Sequence, residues 1–177
     1  VYKRQDLSFL LETLKQEKFS DGSKNPFKNI INFDQVGAMG HSMGGGTTYT
    51  AMLKDKNIKA GVAFDGWFYG LLDEEALTDT KKPFLHIGQE QFLDDKIDGD
   101  INDSKDGKRN FYIYNNILKN NNESYGVYIK NSLHYSYTDL KLIYRKNAPL
   151  SIPLKSLGEV CLLYTSDAAD ETEGVEL

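Results

Sequence analysis

The stretch Gly40-His41-Ser42-Met43-Gly44-Gly45-Gly46 decides the fold, with IINFDQVGAM (30–39) before it and TTYTAML (47–53) after it. Gly40 to Gly44 fits the pattern G-x-S-x-G. The chemistry behind that pattern is steric. A serine held in a sharp strand-to-helix turn adopts a strained backbone, so the positions two before and two after it must lack bulky side chains. The context fits. A turn feeds a short buried strand at about 35–39, and a helix follows through Tyr49, Ala51, Met52 and Leu53. The Ser42 hydroxyl would emerge at the carboxyl end of the strand. The Met43 amide, at the helix N-terminus, would face a developing oxyanion. Gly45 and Gly46 would let the helix pack closely on the sheet. The run lacks the Lys-Ser/Thr ending of a P-loop and is not G-x-G-x-x-G, so it does not read as a nucleotide cradle.

A serine hydroxyl needs a base, and the chain holds 3 histidines. His41 lies inside the turn and is directed away from the serine's side, which suits packing beneath the site. His86 sits within the strand-like PFLHIG and reads as a core histidine. His134, in the loop NSLHYSY after a later strand, stands at the sheet edge where the serine emerges. It also satisfies the chain order serine, acid, histidine. For the acid, Asp65 ends the strand GVAFD, and Glu90, Asp94 and Asp95 follow the next strand. All four fall near the same edge, and spacing does not choose among them, although Asp65 is favoured by sitting against an otherwise apolar strand.

Outward from the turn, short apolar strands alternate with helices. Asp6 caps a helix carrying Leu7, Leu10, Leu11 and Leu14 that should end near Phe19, before the turn formers SDGSKNP. KAGVAFD, KPFLHIG and YGVYIK read as strands. LLDEEAL, 110–120 and YTDLKLIYRK read as helices, and the polar IDGDINDSKDGK as a surface loop. The pattern predicts a mostly parallel sheet covered by helices on both faces.

Composition excludes several classes. No apolar run approaches the roughly 20 residues of a membrane helix. The net charge of −5 comes from residues 159–177, which hold six acidic and no basic side chains, so the remainder carries +1. Without Lys3 and Arg4 it carries −1, and no basic stripe suits nucleic acid. Cys161, the single cysteine, offers neither a disulfide framework nor a cysteine metal site. Asn102-Asp103-Ser104 and Asn122-Glu123-Ser124 match the glycosylation acceptor pattern. VYKRQ (1–5) and residues 159–177, which include CLLYTSDAADE, read as non-native, adapter-like ends, leaving 6–150 as a partial domain.

The blocks GHSMGGGTTYTAML, GVAFDGWFYGLLDE, KPFLHIGQEQF and SLHYSYTDL, between 34 and 142, resemble the platelet-activating-factor acetylhydrolases. These are the plasma-type and related intracellular lipoprotein-associated phospholipases A2. Their elbow is G-H-S-x-G-G, with the acid in an apolar-D-x-W block and the base in S-x-H-x-x-F/Y-x-D. The resemblance implies an α/β-hydrolase fold, C-terminal half only. Its first strands, and the loop giving a second oxyanion amide, would lie outside this chain. It implies Ser42 as nucleophile, Asp65 as acid and His134 as base, with Trp67 and Phe68 bordering the substrate together with Tyr69, Leu71 and Leu72; these five residues read equally as ordinary core under the sheet edge. It implies hydrolysis of the sn-2 acetyl or short or oxidised acyl ester of a phospholipid, at a membrane or lipoprotein surface, with no metal or cofactor. The alternative among enzymes is a carboxylesterase or dienelactone-hydrolase-like enzyme for small soluble esters. A catalytically dead binding module would lack a triad member, and none is missing here.

Overall fold

A computed structural model describes residues 2–90, 105–138 and 161–165. Its centre is a five-stranded sheet in the order β1 (Val36–His41), β2 (Ile58–Phe64), β3 (Phe84–Gln89), β4 (Ser124–Ile129) and β5 (Cys161–Thr165). The first four strands are parallel, and β5 pairs antiparallel with β4. The residues set aside at 159–177 therefore include a paired edge strand. Sequential parallel strands each need a crossover, and helices supply it: α2 (Met43–Lys54) between β1 and β2, and α4 (Lys105–Asn120) between β3 and β4.

Alternation along the strands fixes which face the helices cover. A Cβ on Gly61 would meet Thr48 and Met52 of α2, and Gly61 is aligned with Phe84. Phe84 and His86 share that face. Phe84 packs edge-on against Tyr49 of α2, and His86 lies 4.5 Å from the Tyr114 ring of α4. Both helices thus cover one face, where the buried core of Met52, Ile58, Phe68, Ile113 and Ile117 gathers. On the opposite face Val62, Phe64, Leu85, Ile87 and Val127 are half-buried.

Several expectations change. Where a short buried strand is expected, β1 stands at the sheet's edge among the described residues, with Met39 73% exposed. The first helix, α1 (Tyr2–Leu14), starts before Asp6 and stops five residues short of Phe19. Asp6 is therefore internal and caps nothing. Leu11 is buried, while Ser8 Oγ donates to Asp55 Oδ2 at 2.8 Å across to the end of α2. The polar insertion is not wholly loop, because its last residues begin α4 at Lys105. LLDEEAL forms one helical turn, α3 (Asp73–Ala76), where Glu75 accepts from the Leu72 amide at 3.0 Å. From Asp139 onward, the helix expected in YTDLKLIYRK lies outside the described residues.

Candidate active site

Parallel strands bring their carboxyl ends to one edge, and the loops beyond those ends are where such sheets build sites. Ser42 follows β1, Asp65 follows β2, and His134 opens a 3₁₀ turn (His134–Tyr137) after β4.

Ser42 has φ 59° and ψ −125°, a conformation that a non-glycine residue rarely adopts. Close crossing of the strand and helix forces it there. A Cβ on Gly40 would run into the Gly44 backbone, and one on Gly45 would lie 2.8 Å from Gly66 Cα and 2.9 Å from Ala63 Cβ. Gly46 faces the Trp67 carbonyl in the same way. A Cβ on Gly44 itself meets nothing, so the steric demand falls on Gly40, Gly45 and Gly46 rather than symmetrically about the serine. Met43 is the first residue of α2, where a backbone N–H has no acceptor within the helix.

The three predicted side chains meet. His134 Nδ1 lies 2.5 Å from Asp65 Oδ2, and His134 Nε2 lies 3.0 Å from Ser42 Oγ. An ionised carboxylate only accepts, so the neutral imidazole carries its proton on Nδ1 and offers Nε2 to the serine hydroxyl. Asp65 is 1% exposed, whereas the His134 side chain retains 22% exposure. Of the other acids weighed, Glu90 is half-buried, while His134 Nδ1 pairs with Asp65, and Asp94 and Asp95 lie outside the described residues.

Asp65 also has a positive φ, 45°, and its turn is pinned on all sides. Its amide donates to the Ile87 carbonyl at 2.7 Å, and the Gly66 amide donates to His86 Nε2 at 3.0 Å. His86, fully buried, must then hold its proton on Nδ1. Burial pushes its pKa from 6.5 down to about 4, against the opposing pull of the Asp65 charge. The core reading of His86 is right, and it also supports the turn that carries Asp65.

His41 lies beneath His134. Its Nε2–H donates to the His134 carbonyl at 2.8 Å, and the two rings are 4.5 Å apart. Trp67 is half-buried and stands edge-on to His134 at 6.5 Å. Phe68 needs a correction. It is fully buried against Phe84, His86 and Tyr114, so it backs the site instead of bordering a substrate. Leu71 is likewise buried, while Tyr69 is half-buried and Leu72 exposed.

Sequence reasoning missed the residues of α4 that hold this loop. Asn110 Oδ1 accepts from the Phe68 amide, and Arg109 donates to the Tyr69 carbonyl at 2.8 Å and the Leu71 carbonyl at 2.6 Å. It also missed Gln89, whose side-chain amide reaches Asp65. No local pattern marks these residues, because each bond spans 24 residues or more.

Comparison with known proteins bears on the fold and the family. A ferulic acid esterase from Streptomyces cinnamoneus superposes with a TM-score of 0.58 at 20% identity, over 88% of this chain and 39% of that one. That likeness and the strand order give the α/β-hydrolase fold. The platelet-activating factor acetylhydrolase of Gallus gallus is 24% identical over 124 residues, which cover 70% of this chain and 26% of the chicken protein. A probable 1-alkyl-2-acetylglycerophosphocholine esterase of Arthroderma benhamiae is 41% identical over 49 residues, or 28% of this chain and 13% of that protein. The chain thus spans about a quarter of the chicken relative's length. The sequence model for platelet-activating factor acetylhydrolase, isoform II, matches residues 13–156, and the chain belongs to that family.

Proposed function

We propose that this chain carries the catalytic centre of a serine ester hydrolase that removes the sn-2 acetyl, or another short or oxidised acyl group, from a phospholipid. The observation that carries the reading is the continuous line from Asp65 Oδ2 through the His134 ring to Ser42 Oγ, at 2.5 and 3.0 Å. In it Ser42 attacks the ester carbonyl while His134 Nε2 takes the hydroxyl proton. His134 then returns that proton to the departing lyso-lipid oxygen. Asp65 keeps the imidazole in the productive tautomer and stabilises its charged form. The Met43 amide donates to the oxyanion. Water, activated by the same histidine, cleaves the acyl-serine, and no metal or cofactor takes part.

The substrate class rests on the family and on the names of its chicken and fungal members. An apolar rim supports it. Met43, Leu133 and Tyr135 stand 52–54% exposed beside Ser42 and His134, suited to an acyl or alkyl chain met at a membrane or lipoprotein surface. Trp67 would border the substrate.

Comparing hydrolysis of a short-chain sn-2 phospholipid with that of p-nitrophenyl acetate tests the substrate class. Preference for the phospholipid, abolished by Ser42→Ala, is expected. Turnover of the soluble ester alone would assign the chain to small-ester chemistry instead.

A further inference from the structure

Asp65 has a partner that no motif announces. Gln89, the last residue of β3, donates from Nε2 to Asp65 Oδ2 at 2.5 Å, and its backbone amide faces Oδ1 at 3.3 Å. Oδ2 is the oxygen that also receives His134 Nδ1–H. Gln89 is 7% exposed, so its amide sits where water competes little for the carboxylate.

We propose that Gln89 is the positioning residue for Asp65, fixing the carboxylate so that Oδ2 stays aimed at His134; this rests on reading Asp65 as the orienting acid. The terminal torsion of an aspartate is broad and roughly two-fold, so the backbone alone does not aim a chosen oxygen. Here the backbone is itself in the left-handed region, which only surrounding contacts maintain. Two donors from one residue, one on each oxygen, remove that freedom. Oδ2 has lone pairs for both the amide and the imidazole. A glutamine also suits the chemistry better than a cation would. It holds the oxygen without a charge, whereas Lys or Arg at this position would oppose the positive charge that His134 gains as it takes the serine proton. Nor does it titrate, so the hold is the same at every working pH.

The test is a double-mutant cycle on p-nitrophenyl acetate, using the full chain: wild type, Gln89→Leu, Asp65→Ala and the double variant. Gln89→Leu should lower kcat about 10- to 100-fold, the scale of one hydrogen bond to a charged group, and change KM less than about 2-fold. Asp65→Ala should lower kcat by about 10⁴-fold. If Gln89 acts through Asp65, adding Gln89→Leu to Asp65→Ala should cost nothing further. A loss that multiplies in the Asp65→Ala background would make Gln89 a general structural residue and overturn the proposal. So would an unchanged kcat in Gln89→Leu. Gln89→Glu keeps the shape and packing while replacing the donor with a second carboxylate, and should lose at least as much as Gln89→Leu at neutral pH. Wild-type kcat in Gln89→Glu would also overturn it. Wild-type kcat in Asp65→Ala is a separate result, and it would remove the acid reading beneath the proposal.

Discussion

The Trp67 amide donates to the Ser42 carbonyl at 2.8 Å, joining the turn that follows β1 to the turn that follows β2. Each turn carries a non-glycine residue at positive φ, Ser42 at 59° and Asp65 at 45°. Such backbones cost on the order of 1–3 kcal/mol each and persist only where neighbours over-determine them. The bond makes the two strained turns one unit, with His134 closing over both. Its consequences can be tested residue by residue.

Gly40 and Gly44 look equivalent in G-x-S-x-G, yet they should respond differently. Gly40→Ala drives a Cβ into the Gly44 backbone and should destabilise the fold by about 3 kcal/mol or more. Gly44→Ala meets open space in the first turn of α2, and should leave stability unchanged or raise it by about 0.5–1 kcal/mol through helix propensity. Urea denaturation of both variants decides this, and equal losses would contradict the asymmetry.

His41 should act on His134 through its backbone. In His41→Phe the ring contact with His134 survives, but the hydrogen bond to the His134 carbonyl is lost. We expect kcat to fall about 10-fold with KM nearly unchanged, because a small displacement of the base costs rate rather than binding. Steady-state kinetics on a soluble ester checks it. A change confined to KM would place His41 in substrate binding instead.

His86 should make stability depend on pH with a definite sign. Its pKa is about 4 in the fold against an ordinary value of 6.5, so the unfolded chain binds more protons between those values. The stability of the neutral form is complete above about pH 6.5 and is lost as the pH falls toward about 4. Between about pH 7.5 and about pH 5 the loss should be about 2 kcal/mol, and His86→Gln should not show it. Urea unfolding at the two pH values measures it, and equal slopes in the two proteins would contradict it.

The loop 66–72 should loosen when α4 releases it. Asn110→Leu leaves the Phe68 amide buried without its acceptor, for a cost of about 1–3 kcal/mol. Arg109→Lys cannot reproduce a guanidinium that spans the carbonyls of Tyr69 and Leu71 and the carboxylate of Asp73. Thermal melts should fall for both variants. Activity should fall with them, since Asp65 and Trp67 enter and ride this loop.

What could be read from sequence follows from the range of each interaction. The elbow was legible because strand, glycine turn and helix are contiguous, and the order of Ser42 and His134 along the chain follows from parallel strands sharing one edge. Asp65 was not separable from Glu90, Asp94 and Asp95 by spacing. Its place at the end of an apolar strand favours it, and the D-G-W block, through resemblance, singles it out. Sequence does not choose between the pocket and core readings of Phe68, because a residue next to Trp67 in a loop can turn either way, and nothing local signals that it packs on His86 and Tyr114. Gln89, Arg109 and Asn110 act on residues 24 to 44 positions away, so their roles exist only once the sheet is assembled. The idle Gly44 was hidden for the same reason, since clearance is a property of the crossing helix and strand.

The most direct test of the account is covalent labelling with a fluorophosphonate, which reacts only with a serine activated as a nucleophile. Peptide mapping of the labelled protein should place the adduct on Ser42. Labelling should vanish in Ser42→Ala and slow by about 10³-fold or more in His134→Ala, the scale of losing the base. An adduct that persists in Ser42→Ala would contradict the central claim.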